Sequence, residues 1–149
     1  MAEITVEAGR EIGASPERVY RAIADYATQH ARWLPANYLD YTVEQGGMGE
    51  GTVYRYTLKV GNRQRVYHLA VSEVQPGAVL TERDTGSTLV NTWTVSPHGD
   101  GSRVSLLTRW DGHGGIGGFF ERLFAPGALK RVYDDELGRL DAYTTGTAG

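Results

Sequence analysis

A chain of 149 residues with 40% hydrophobic and 22% charged side chains is one domain's worth of protein, long enough to bury a core and too apolar for disorder. Its net charge of -3, with Lys and Arg scattered among acids, excludes the clustered basic face that nucleic-acid binding needs. No window approaches the roughly 18 apolar residues of a membrane span, so no stable membrane insertion is expected; the absence of cysteine, with Met1-Ala2-Glu3-Ile4 running straight into a strand, fits a cytoplasmic domain.

The elements follow in order. Alternation of Ile4, Val6 and Ala8 with Glu3, Thr5 and Glu7 predicts a first strand over 3–12. Ser15 is a good N-cap, Pro16 suits the first helical turn and Glu17 complements the positive helix end, so a helix is predicted over 15–24 with Val19, Ala22 and Ile23 as its apolar stripe. A second short helix is predicted near 26–33, closed by Trp33-Leu34-Pro35. Strands follow near 38–46, 52–60, 63–74, 78–84, 87–96 and 103–111, separated by turn signals such as Gly46-Gly47, Gly61-Asn62, Pro76-Gly77 and Thr85-Gly86. A glycine-rich stretch, Gly112 to Gly118, leads to a longer helix over 126–143 and a frayed tail.

Hairpin geometry assigns faces. A two-residue Gly61-Asn62 loop pairs Val60 with Arg63, Tyr56 with Tyr67 and Tyr54 with Leu69, placing these tyrosines on one face with Leu58 and Val71. The opposite face carries Arg55, Thr57, Lys59, Gln64 and His68 and reads as solvent. The same count through Thr85-Gly86 pairs Glu82 with Leu89 and Leu80 with Asn91, and Trp93 and Val95 continue that face. For the last strand either Leu106, Thr108 and Trp110 point inward or Leu107 and Arg109 do; apolar content favours the first set. One apolar sheet face needs a cover, and the C-terminal helix supplies it through Leu129, Val132, Tyr133, Glu136, Leu137 and Leu140.

Glu82 is the sharpest chemical candidate. A carboxylate on an apolar face is either paired or forced toward its neutral form, so it could act as a general base or hold a ligand hydroxyl, with Asn91 and a cavity tyrosine as helpers. A strand end that exposes it, or neutralisation by Arg109, would make it structural instead. Asp111 and His113 form a weaker acid–base candidate. Gly112-His113-Gly114-Gly115-Ile116-Gly117 satisfies G-x-G-x-x-G, but no parallel strand follows, which excludes a dinucleotide site. The stretch reads instead as a gate built from Gly114, Ile116, Phe119 and Phe120, with Phe124 beside them. Four histidines in separate elements lack ligand spacing, so neither a metal nor another cofactor is expected.

The order of strand, two short helices, six antiparallel strands and a long terminal helix resembles the helix-grip fold of the START and birch-pollen-allergen (SRPBCC) superfamily, in its polyketide cyclase/dehydrase branch. The matching residues are Ala14 to Tyr20, Trp33-Leu34-Pro35, Gly49-Glu50-Gly51-Thr52, Glu73-Val74-Gln75-Pro76, Thr92-Trp93 and Gly99 to Val104, so the resemblance spans residues 3–143. It implies a single α+β domain over 1–149, a curved seven-stranded antiparallel sheet wrapped around the C-terminal helix, and a deep cavity between them. From the face assignment the cavity would be lined by Tyr54, Tyr56, Tyr67, Leu69, Leu80, Glu82, Asn91, Trp93 and Trp110 of the sheet and by Tyr133 and Leu137 of the helix. Its volume would be roughly 300–1,000 Å³ unless the bulky aromatics fill it. Two functions remain open: a carrier or sensor for a hydrophobic molecule such as a lipid, polyketide or isoprenoid, and a polyketide cyclase, aromatase or dehydratase working through pocket polar groups. The expected partner is that small molecule, and the expected state a monomer or weak homodimer.

Overall fold

The computed structural model describes residues 3–111 and 124–146. Strand β1 (Glu3–Ile12) leads into α1 (Pro16–Ala24), whose N-terminus is capped as the sequence predicts, with the Ser15 hydroxyl accepting from the Arg18 backbone N–H at 3.2 Å. The predicted second helix is realised as a single 3-10 turn, His30–Arg32. Asp25 explains its shape: the Asp25 carbonyl accepts from the backbone N–H groups of Gln29 and His30, and its carboxylate takes the Thr28 N–H at 3.0 Å, which curls the connector instead of extending a helix.

Six strands follow: β2 (Tyr38–Gln45), β3 (Val53–Val60), β4 (Arg63–Gln75), β5 (Val79–Asp84), β6 (Val90–His98) and β7 (Gly101–Asp111). With β1 they form one seven-stranded antiparallel sheet in the order β1-β7-β6-β5-β4-β3-β2. Helix α2 (Pro126–Thr144) packs chiefly against β1 and touches α1, burying the predicted stripe from Leu129 to Leu140.

The β3–β4 register is the predicted one, with Val60 opposite Arg63, Tyr56 opposite Tyr67 and Tyr54 opposite Leu69. The β5–β6 register is not: Glu82 faces Asn91 and Leu80 faces Trp93. The connection is longer than two residues, because the Asp84 N–H closes onto the Leu89 carbonyl at 3.0 Å and Ser87 Oγ donates to the Asp84 carboxylate at 2.6 Å. The slip is two positions, and strand parity is two, so every side chain keeps its predicted face. In β7, Leu106, Thr108 and Trp110 are buried while Arg109 is exposed on the outer face, which removes Arg109 as a neutraliser of Glu82.

Gly101, at the start of β7, lies against the end of β1, and a Cβ there would collide with the Ile12 carbonyl oxygen. Backbone cannot swing aside as a side chain can. Gly101→Ala is therefore expected to cost about 2 kcal/mol, the range of core overpacking, and to lower the denaturant midpoint measured by circular dichroism. An unchanged midpoint would mean that this corner is loose.

Candidate functional site

Between the sheet and α2 the inward side chains are not only hydrocarbon. Glu82, Asn91 and Thr108 from the sheet, Glu136 and Tyr133 from α2, and His30 from the 3-10 turn are all buried. All of these but Thr108, with Leu34, Tyr38, Tyr54, Tyr56, Trp93 and Leu106, surround the same interior point; Thr108 stands just behind. Burying so many polar groups is costly unless each is hydrogen-bonded, and the local geometry shows how most of them are.

A one-way chain of donors ends on Glu82. Thr108 Oγ1 donates to Asn91 Oδ1 at 2.6 Å, so its single hydrogen is committed, and the Tyr133 hydroxyl, 2.7 Å away, donates to Thr108. Asn91 Nδ2 donates to Glu82 Oε1 at 3.0 Å, and the Tyr26 hydroxyl donates to Glu82 Oε2 at 2.5 Å. Strand register makes this possible, since Glu82, Asn91 and Thr108 are direct cross-strand neighbours on β5, β6 and β7. Tyr26 itself is held by Asp25's curled connector and by stacking on the His30 ring at 4.5 Å. Burial, with the Glu82 charge beside it, pushes the Tyr26 hydroxyl well above its ordinary range.

Two further titratable groups face the same point. His30 Nδ1 lies 2.7 Å from the Ile23 carbonyl, which only accepts, so the proton is on Nδ1 and Nε2 carries the lone pair. Burial holds this imidazole below its usual value and keeps it neutral. Glu136 accepts from the Tyr38 hydroxyl at 2.7 Å. Burial pushes its carboxyl up to about 8, the Tyr38 bond offsetting only part of the effect, so near neutral pH it is an acid with a proton to give.

The space enclosed is small. The cavity measures about 10 Å³, counted as the room available to the centre of a water molecule, which is enough for about one water. This corrects the expected volume of hundreds of Å³. The tyrosines that were to line a cavity fill it: Tyr38 packs on Tyr56 with ring centres 4.9 Å apart, Tyr54 on Tyr56 at 5.7 Å, and Tyr56 on Tyr67 at 5.6 Å.

Of the predicted lining residues, Tyr54, Tyr56, Glu82, Asn91, Trp93 and Tyr133 reach the cavity. Tyr67, Leu69, Leu80, Trp110 and Leu137 are buried on the predicted faces but stand back from it. Asp111 sits apart, in an outer-face depression with Glu3, Thr88 and Arg109. His113, Gly114, Ile116, Phe119 and Phe120 lie outside the described residues. Sequence reading missed Tyr26, His30, Tyr38 and Glu136. For Glu136 the signal was present, a carboxylate on the apolar stripe of α2, and it is the same signal that singled out Glu82. The Trp93 indole N–H is buried without a hydrogen-bond partner among the described residues, whereas the Trp33 N–H is taken by the Ala22 carbonyl at 3.1 Å.

Residues 3–145 match the profile of a family described as "Polyketide cyclase / dehydrase and lipid transport". Among solved structures, the KanY protein, determined by NMR, is 39% identical, with 98% of this chain and 100% of that one covered and a TM-score of 0.87. Protein TTHA0849 from Thermus thermophilus is 20% identical, covering 98% of this chain and 100% of its own, with a TM-score of 0.77. Major latex-like protein 151 from Panax ginseng is 12% identical, covering 95% and 97%, with a TM-score of 0.73. The last two speak to architecture alone, and it is the helix-grip fold. No curated protein matches the sequence.

Proposed function

Because the chain belongs to the polyketide cyclase/dehydrase and lipid transport family of the SRPBCC superfamily, we propose that it binds a small hydrophobic molecule between the sheet and α2, as a carrier or sensor. One observation carries this reading: the centre of the domain holds two carboxyl groups, an imidazole and an indole N–H that has no partner among the described residues, all around a single point, where a purely structural core would hold hydrocarbon. Polar groups so placed give orientation and specificity to a ligand whose bulk is met by aromatic rings. At about 10 Å³ the closed cavity admits no ligand body, so binding requires the tyrosine cluster to rearrange or α2 to move away from β2 and β3.

The test is native mass spectrometry on the purified chain, followed by identification of any molecule released on denaturation, with thermal-shift measurements against a panel of aromatic and lipid-like compounds. The expected result is a bound organic molecule, or a raised midpoint with some of the aromatic members and a loss of that effect in Glu82→Gln. A chain that carries nothing and responds to nothing would sink the reading.

A second reading is favoured by a specific observation. Glu136, neutral near pH 7, and the imidazole of His30 supply a proton donor and a proton acceptor at one cavity, which suits a cyclase, aromatase or dehydratase working through pocket groups. Turnover of a poly-β-ketone mimic, absent in Glu136→Gln, separates this reading from carriage.

A further inference from the structure

A second hollow lies on the outer face of the sheet, over β5, β6, β7 and the start of β1. By the measure that gives the interior cavity about 10 Å³, it holds about 510 Å³. That is inside the roughly 300–1,000 Å³ of small-molecule sites. Glu3, Arg83, Thr88 and Arg109 are exposed along it, so a solute enters without any rearrangement of the fold.

Strand register decides what stands there. Arg83 of β5 and Arg109 of β7 flank Val90 of β6, each its direct cross-strand neighbour, so their backbones are two strand spacings, about 10 Å, apart. Along the strands in one direction, on the same face, Thr81 of β5 faces Thr92 of β6. In the other direction Glu3 of β1 faces Asp111 of β7. The Thr88 hydroxyl accepts the Asp111 N–H at 2.8 Å, which fastens the loop before β6 to this acidic end. The hollow is therefore ordered: two hydroxyls, two guanidiniums over an aliphatic floor, then two carboxylates. The two arginines are also unspent. Arg10 holds Asp141, Arg55 holds Glu44, Arg65 reaches Asp84 and Arg139 holds Asp135. Arg83 and Arg109 make no hydrogen bond or ion pair with any described residue.

Neighbouring guanidiniums repel unless an anion lies between them. A carboxylate offers two oxygens in one plane and suits a single fork. A phosphate monoester carries nearly two charges on a tripod of oxygens, which suits forks from two sides with hydroxyl donors beside them. Carboxylates repel a phosphate but accept from neutral hydroxyls, so the acidic end gives the ligand a direction. We propose that the outer face carries a second ligand site, for a small phosphate monoester with a hydroxyl-bearing body, a sugar phosphate in chemical class. The phosphate sits on Arg83, Arg109 and the Thr81 and Thr92 hydroxyls, and the body's hydroxyls turn to Glu3 and Asp111. The site is separate from the interior cavity, because Arg83 and Arg109 alternate along their strands with the inward Glu82 and Thr108.

The experiment titrates the full ¹⁵N-labelled chain with D-ribose 5-phosphate and, separately, with ribose and inorganic phosphate. Saturable amide shifts are expected at Thr81, Arg83, Thr92 and Arg109. Ribose should bind at least about 10-fold more weakly and inorganic phosphate at least about 5-fold more weakly than the ester. Arg83→Gln and Arg109→Gln should each lower affinity for ribose 5-phosphate at least about 10-fold, the scale of one hydrogen bond to a charged group. Glu3→Ala should weaken ribose 5-phosphate and spare inorganic phosphate. All three side chains are exposed, so thermal midpoints should stay at the wild-type value. If a variant does not fold, salt decides on the wild type: raising NaCl from about 50 to about 500 mM should lower affinity at least about 5-fold. Affinity indifferent to both arginines or to salt, shifts centred elsewhere, or no saturation up to about 20 mM sugar phosphate overturns the site. Equal affinity for inorganic phosphate and ribose 5-phosphate, unmoved by Glu3→Ala, overturns the ligand assignment and means an adventitious ion only.

Discussion

Glu82→Ala is expected to be the most damaging substitution in the donor chain that ends on Glu82. It removes the acceptor on which the donor chain ends, leaving the Tyr26 hydroxyl and Asn91 Nδ2 without a partner inside the sheet. An orphaned buried donor costs about 1–3 kcal/mol, so the pair amounts to about 3 kcal/mol. For a chain of this size that is a fall of about 6–12 °C in Tm. Glu82→Gln retains one acceptor oxygen and should lose about half as much. Thermal melts followed by circular dichroism check both values. If Glu82→Ala melted with the wild type, the network would contribute nothing to folding and would be there for the ligand alone.

The second large effect is pH-dependent and carries the opposite sign from the usual carboxylate. Glu136 has an ordinary value of 4.5 when unfolded and about 8 when buried in the native state. Between those values the native state binds more protons than the unfolded one, so stability is full below about pH 4.5 and falls as pH rises toward 8, by up to about 1.4 kcal/mol per pH unit. Glu136→Gln keeps an oxygen for the Tyr38 hydroxyl and has nothing to ionise. It should match the wild type near pH 5 and exceed it at pH 9 by about 4 kcal/mol, seen as a higher urea midpoint at unchanged slope. Equal midpoints at pH 9 would place the Glu136 charge in contact with water.

How much of this was legible in the sequence depended on the kind of information each residue carries. Tyr54, Tyr56 and Tyr67 were placed correctly because a two-residue turn at Gly61-Asn62 leaves one register, and alternation does the rest. Glu82 was legible as a carboxylate at an inward position, and the face survived a two-position slip against β6 because two positions restore the pleat. The partner of Glu82 was not legible. Tyr26 sits in a connector with no periodicity, and its position follows from Asp25 folding the chain back on itself. His30 reads in sequence as one of four scattered histidines and becomes distinctive only through stacking on Tyr26 and its bond to Ile23. The cavity volume was beyond pattern reading, because the same tyrosines line or fill a space according to their rotamers.

The sheet order places β1 and β7 side by side, joining residues 3–12 to residues 102–111. During synthesis β1 thus waits for β7 before it has a neighbour in the sheet, and α2, which packs on β1, is made later still. The hairpins from β2 to β7 can form as they are made, while the closing seam is the slow, high-entropy event. Folding should therefore be limited by this late union of chain ends, with an exposed β1 edge as the species open to aggregation until it occurs.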